Sequence, residues 1–358
     1  MFWCLIISAI IFLCGCDQLS RGRKLFLAIL CIAFSVIVGM RTNDWNDTPE
    51  YWYAFSHFTK PIYQFWETRQ NHFFEDKGFL LINSIIYSVT NSRFIFFTII
   101  AGLTNWFLYK NLLNYSVFPI TGFIFYIGRF GLSRNFMQIR AALAIMMVIY
   151  AIQYVSKKDW KRFFIWVGIA SSIHYTMLLS IPIYWMDRLK LTQKKIITIS
   201  VLSLLITYIF APYIFKYVSS LSLEYQIALT YTMESSEYTV GKGLANPMIY
   251  FQLILLWIFS ISQIKLASQT PYYYTIRNAY FYSTILLIVF SSFGVLSARS
   301  STIFATVEIF ILPALCKLVS RKYQFFATIL VALLGLSFFF IKYSDFINSH
   351  PSFNNPLL

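Results

Sequence analysis

An all-α polytopic membrane protein, a bundle of about ten to twelve spanning or re-entrant helices with polar loops on its outer face, is the fold class this sequence predicts. Three observations carry it. Of 358 residues, 58% are hydrophobic and 20% aromatic while only 12% are charged, the composition of a chain dissolved in lipid. The apolar runs reach about 15 to 20 residues, as spanning helices require, and none alternates with the period of two that a barrel strand needs. Between the runs the basic residues gather in compact clusters, as cytoplasmic loops do.

The 29 basic residues against 14 acidic give a formal charge of +15. In a soluble chain this excess would suggest nucleic acid, but here it reports topology, and no nucleic-acid partner is expected. The clusters are Arg21 to Lys24, Lys157 to Arg162, Arg188 to Lys195 and Lys317 to Lys322. Placing them inside orders residues 1–358 as one integral membrane domain. Phe2 to Gly15 is an uncleaved first span with its N-terminus outside, because its positive charges follow the apolar stretch, whereas a signal peptide carries them before it. Leu25 to Met40 then leads out to a first outer loop, 41–92, which is relatively acidic.

Within that loop, Phe79, Ile82, Ile86 and Val89 recur at helical steps and predict an amphipathic helix lying at the interface. Phe94 to Tyr109, Val117 to Phe130 and Ala141 to Val155 continue the spans. Segment 163–185 contains no Lys or Arg, yet strongly basic loops flank it on both sides. If both flanks are cytoplasmic, the segment enters and returns as a re-entrant hairpin broken near "SSIHY", with His174 at its tip. One ordinary span with a basic loop on the opposite side is the alternative. Ile196 to Phe210, a second outer loop at 216–245, and spans Pro247 to Ile264, Ala279 to Leu296, Thr302 to Leu315 and Phe325 to Ile341 complete the chain.

Several chemistries find no support. The five cysteines lie in or beside apolar runs without the spacing of a disulfide framework or zinc site. "TVGKG" lacks the upstream glycine of a nucleotide-binding loop. The four histidines form no ligand-spaced cluster, so neither a metal nor another cofactor is expected.

Once the cytoplasmic clusters are set aside, Arg41, Asp44, Glu75, Arg134, Arg140, His174, Arg299 and Glu308 remain at or near the outer ends of apolar runs. Ionisable groups at membrane depth mark a site or a pathway more often than chance, although a single arginine can snorkel to the interface without chemical purpose. Four arginines on the face that charge bias does not favour suggest a pocket for a polyanion, because a guanidinium fork matches phosphate oxygens. Glu308 reads as a structural partner for a buried arginine.

"VGMRTNDWNDTPEYW", "EDKGFLLINSII", "QIRAALAIMMVIYAI", "SSIHYTML" and "ARSSTIFATVEIFILP" occur in that order between about residues 36 and 315. Together they resemble the EpsG-type, Wzy-like polymerases of bacterial surface polysaccharides such as O-antigen. The resemblance points to Arg41, Asp44, Tyr51, Glu75, Gly78, Asn83, Arg140, Ala144, His174 and Arg299. Ala141 stands where such proteins often carry Gln, and Ile303 where an aromatic often follows the late arginine.

What the resemblance implies is a GT-C-like bundle in the bacterial inner membrane, with both outer loops in the periplasm. It would join oligosaccharide repeats linked to undecaprenyl diphosphate, with the lipid diphosphate leaving. A flippase and a chain-length regulator would then be partners. On this reading Arg140, Arg134, Arg299 and Arg41 bind the diphosphate and need no metal. His174, Asp44 or Glu75 serves as base to the acceptor hydroxyl, and Tyr51 and Asn83 contact sugar. A lipid-linked oligosaccharide flippase and a membrane sugar O-acyltransferase stay open as rivals, since both also place cationic or imidazole groups at membrane depth.

Overall fold

The computed structural model describes residues 2–19, 22–70, 76–189, 191–219 and 242–349. Their regular structure is helical throughout, in the order α1 (Phe2–Gln18), α2 (Arg23–Gly39), α3 (Thr48–Tyr53), α4 (Phe65–Gln70), α5 (Lys77–Tyr87), α6 (Arg93–Tyr115), α7 (Pro119–Tyr126), α8 (Ile139–Ser156), α9 (Trp160–Ile173), α10 (Ile183–Met186), α11 (Gln193–Ser219), α12 (Pro247–Ile261), α13 (Gln263–Leu266), α14 (Tyr273–Val289), α15 (Gly294–Ala305), α16 (Glu308–Leu315) and α17 (Gln324–Ser349). The chain is an all-α membrane protein. Among the described residues three helices are each long and apolar enough to cross a membrane, or four if the bent pair α15 and α16 counts as one. That is fewer than the ten to twelve the sequence suggests, because several apolar runs fold as helices of fewer than 18 residues or carry polar groups toward the bundle interior.

Helix α8 is the hub. Its residues from Ala142 to Val155 are almost all buried, and a helix that is apolar all round must be covered on every side. α6, α9, α14 and α15 all pack on it. Polar side chains of α6 bind its backbone: Asn111 donates to the Met146 carbonyl at 2.9 Å, and the Tyr115 hydroxyl meets the Ile149 and Tyr150 carbonyls at 3.1 Å each. In a bilayer interior such bonds fix which face of α6 turns inward. At the start of α7, Asp17 from α1 accepts from the backbone amides of Ile120 and Thr121 at 3.1 and 2.8 Å. It satisfies donors that no intrahelical carbonyl can reach and sits at the positive end of the helix dipole.

α7 runs into an 11-residue π-helical stretch, Ile127–Met137, which carries Arg129, Ser133 and Arg134. A Cβ at Gly128 would lie 2.0 Å from the Gly335 carbonyl oxygen, so this stretch meets α17 backbone to backbone and only glycine fits. The contact draws the wider helix against α17 and determines what its arginines can reach.

The chain also breaks twice where the candidate site forms. α15 and α16 meet at 51°, and α9 ends at Ile173 with the His174 backbone extended (φ −155°, ψ 107°). The second break falls where the sequence places it, near "SSIHY", and a short 3₁₀ turn (Tyr175–Ser180) follows. If 163–185 is re-entrant, cysteines at Lys158 and Lys194 resist a membrane-impermeant reagent added outside, while one at Tyr175 reacts. Labelling of the two lysine positions from opposite sides would establish a single span instead.

The amphipathic helix expected in the first outer loop is present as α5, but with an unexpected orientation. Asn83 and Ser84 are buried with Phe79, Leu80 and Ile86, whereas Leu81 and Ile85 are exposed. α5 packs across α9, and a Cβ at Gly78 would sit 2.2 Å from Ser172 Oγ and 2.8 Å from the Ser172 carbonyl oxygen. The polar residues therefore turn toward protein.

Candidate functional site

A cavity of about 270 Å³ opens where α3, the end of the π-helical stretch, the start of α8, the break after α9 and the middle of α15 converge. Asp47 and Tyr51 line it from the segment that follows α2, Arg140 from α8, His174 and Thr176 from the break, and Arg299 from α15. Each side chain arrives for a local reason. Asp47 precedes Thr48 and Pro49 and marks the start of α3, where proline fits the first turn. Arg140 is in the first turn of α8, so the helix dipole adds positive potential where its guanidinium lies. His174 is in the cavity because the backbone leaves the helix at that residue.

Asp76 ties these parts together. It starts α5, but its carboxylate makes no cap to that helix. One oxygen accepts from Arg140 Nη1 at 2.6 Å and lies 3.8 Å from His174 Nδ1. The other accepts from the Tyr175 amide at 3.3 Å. One carboxylate thus spans α5, α8 and the break after α9, and the Gly78–Ser172 contact two residues on holds it in place. Arg140 Nε also points to the Tyr51 hydroxyl at 3.4 Å, and its guanidinium lies 5.6 Å from the Tyr51 ring centre. Tyr51 is fully enclosed, and that burial raises its pKa, so it faces Arg140 as a neutral phenol.

Asp47 adopts a left-handed backbone conformation with φ at 64°, uncommon for a residue other than glycine. Although the residue has an exposed side, protein packed around its carboxylate raises its pKa. Glu50 adds to the rise, while Arg140 and Arg299 oppose it. The cavity can thus offer guanidinium groups to an anion and a carboxylate with increased proton affinity to a hydroxyl.

The structure brings together four residues singled out in the sequence: Arg140, Arg299, His174 and Tyr51. It places others elsewhere. Arg134 is buried, donating to the Thr302 carbonyl and hydroxyl at 2.7 Å each and to the Thr306 hydroxyl at 2.5 Å, with its guanidinium 4.2 Å from the Phe130 ring centre. Thr302 is among the last four residues of α15, whose carbonyls lack intrahelical partners, so Arg134 fills the break between α15 and α16. Arg41 is likewise turned away, donating to the Val38 and Phe136 carbonyls at 2.9 and 3.0 Å. Neither lines the cavity.

Asn83 is buried within α5, outside the cavity wall, and its Oδ1 has no hydrogen-bond partner. Asp44 is exposed and also outside the wall. Glu75 lies outside the described residues. Glu308 accepts from Arg129 Nε at 3.3 Å and from the Tyr280 hydroxyl at 3.1 Å, the structural pairing expected of it.

The residues that sequence reasoning passed over are Asp47 and Asp76. Both stand at helix starts, where an acidic side chain is common, and that position was the available signal. Against it, a carboxylate in a polar loop looks like ordinary solvated surface.

No curated protein and no solved structure matches this chain. The sequence profile of the EpsG family matches residues 24–355, which takes in every element of the cavity, and the chain belongs to the EpsG family.

Proposed function

We propose that the protein is a membrane glycosyltransferase that polymerises oligosaccharide repeats carried on undecaprenyl diphosphate, acting at the periplasmic face of a multi-pass bacterial inner-membrane bundle. Membership of the EpsG family is consistent with a polysaccharide polymerase-like role. The observation that carries the reaction is the convergence of Arg140, Arg299, His174 and Asp47 on one cavity at the end of a buried helix.

A glycosyl diphosphate is already activated, so its enzyme must bind the phosphates and stabilise charge on the departing oxygen. Preorganised cationic donors do this, and such electrostatic effects are commonly the largest in catalysis. In this reading Arg140 and Arg299 hold the diphosphate, using guanidinium charge in place of a metal ion. The acceptor oxygen attacks the anomeric carbon, the carbon–oxygen bond to phosphate breaks, and its electron pair leaves with the lipid diphosphate. The acceptor's proton passes to Asp47. Diphosphate binding occupies the two guanidinium groups that otherwise hold the Asp47 proton affinity down, which makes the carboxylate a stronger base when substrate is present. His174, backed by Asp76, orients the acceptor. Asp47 takes the role assigned from sequence to His174, Asp44 or Glu75 because it is a carboxylate that lines the cavity and its pKa is raised. A GT-C-type architecture and dependence on a flippase and a chain-length regulator accompany this reading.

The test is purified protein supplied with a polyprenyl-diphosphate oligosaccharide. Longer lipid-linked chains support the proposal; lipid moved across a vesicle without elongation identifies a flippase, and acetylated sugar an acyltransferase. Because the Asp47 pKa is raised, activity should fall on the acid side at a pH above the usual aspartate range, as the base becomes protonated. Asp47→Asn should remove that limb along with most of the activity. A pH–rate profile unchanged by the substitution would exclude Asp47 as the base.

A further inference from the structure

A second cavity, about 200 Å³, adjoins the first along α15. Its lining contains Arg129, Lys242 and Lys342 but no carboxylate. Glu308 stands behind Arg129 and offsets one of the three charges. Lys342, on α17, donates to the Arg129 carbonyl at 2.5 Å and to Ser133 Oγ at 3.4 Å, so neutral oxygens hold its ammonium in place. Positive charge concentrated in a hollow of a membrane protein without matching carboxylates is costly unless an anion enters.

Two further side chains in the wall have unmet hydrogen-bonding capacity. Gln252 Oε1 and Ser291 Oγ belong to cavity-lining residues that are each only 2% exposed, and neither atom has a hydrogen-bond partner. Unsatisfied buried acceptors and hydroxyls are rare and call for a ligand or water to complete them. An amide oxygen and a hydroxyl are suited to sugar hydroxyls, just as the ammonium and guanidinium groups are suited to phosphate. Space for a ring comes from α15, whose Gly294, Ser297, Ser301 and Ala305 line the cavity.

Ser133, Ala298 and Thr302 line both cavities, so the two hollows adjoin at these residues. Resting on the polymerase reading above, we infer that the second cavity binds a second phosphorylated saccharide, the headgroup of the acceptor repeat, while the first holds the donor. Lys342, Lys242 and Arg129 take the phosphate oxygens, and Gln252 and Ser291 take the sugar.

The experiment counts bound headgroups without turnover, by native mass spectrometry of the full chain with a polyprenyl-diphosphate disaccharide. The wild type should bind two, and Arg140→Ala one. Lys342→Met should also bind one, with the second affinity weakened at least ~10-fold. Lys242→Gln, at an exposed position where the fold is not at risk, should weaken the same event. A water-soluble methyl diphosphate disaccharide forms the second arm. If it fills the second cavity and the lipid-linked compound does not, the ligand is a soluble sugar phosphate and the acceptor assignment fails. A single bound headgroup in the wild type, or two in both lysine variants, also overturns it. Binding of two headgroups by a protein that makes no polymer would instead remove the polymerase reading while leaving two sites.

Discussion

Arg140→Ala is expected to abolish polymer formation, lowering kcat/KM by roughly 10³-fold, while the protein still inserts and accumulates. The magnitude is that of removing a preorganised donor from a developing oxyanion, with the loss of the Asp76 contact at 2.6 Å added to it. Arg140→Lys keeps the charge and should still lose most activity, since an ammonium cannot bridge Asp76, Tyr51 and a phosphate in the plane that a guanidinium spans. Assays on lipid-linked substrate with matched protein levels check both. The same substitution at Arg134 makes the contrast. Arg134 holds the end of α15, so Arg134→Ala should reduce accumulation and thermal stability, with activity per folded molecule changed far less. Normal long-chain product from Arg140→Ala would remove the cavity from the mechanism.

Glu308→Ala carries the second large effect, on stability. Glu308 is fully buried, and Arg129, whose side chain is 12% exposed, depends on it together with the Tyr280 hydroxyl. Removing one partner of a buried ion pair leaves an uncompensated charge and typically costs about 3–5 kcal/mol. Thermal unfolding in detergent should show a large drop in Tm. Glu308→Gln retains an acceptor for Tyr280 and should fall between the two. The double replacement Arg129→Met with Glu308→Met should recover much of the loss, because two apolar side chains leave no orphan charge. An unchanged Tm for Glu308→Ala would show that Arg129 finds another anion or water.

These predictions separate residues that look alike along the chain. Arg41, Arg134 and Arg140 each border an apolar run. Only Arg140 lines the first cavity; the other two donate to backbone carbonyls near helix ends or breaks. His174 was legible because an imidazole in a segment without Lys or Arg is out of place in lipid. Asp47 and Asp76 were not, because the features that distinguish them are a cavity wall for one and an arginine 64 positions away for the other.

The sequence by itself determined that the chain lives in a membrane and that it is helical, and it singled out the stretch around His174 as a candidate break. Those properties follow from how each short segment is solvated and hydrogen-bonded, and lipid leaves the backbone few choices. Only the tertiary structure decided which cations share a cavity. Arg134 meets Thr306 across 172 residues, and Asp76 joins helices that are distant in the chain. Such pairings depend on packing at places like Gly78 against Ser172, where fractions of an ångström set the register and no local pattern records the partner.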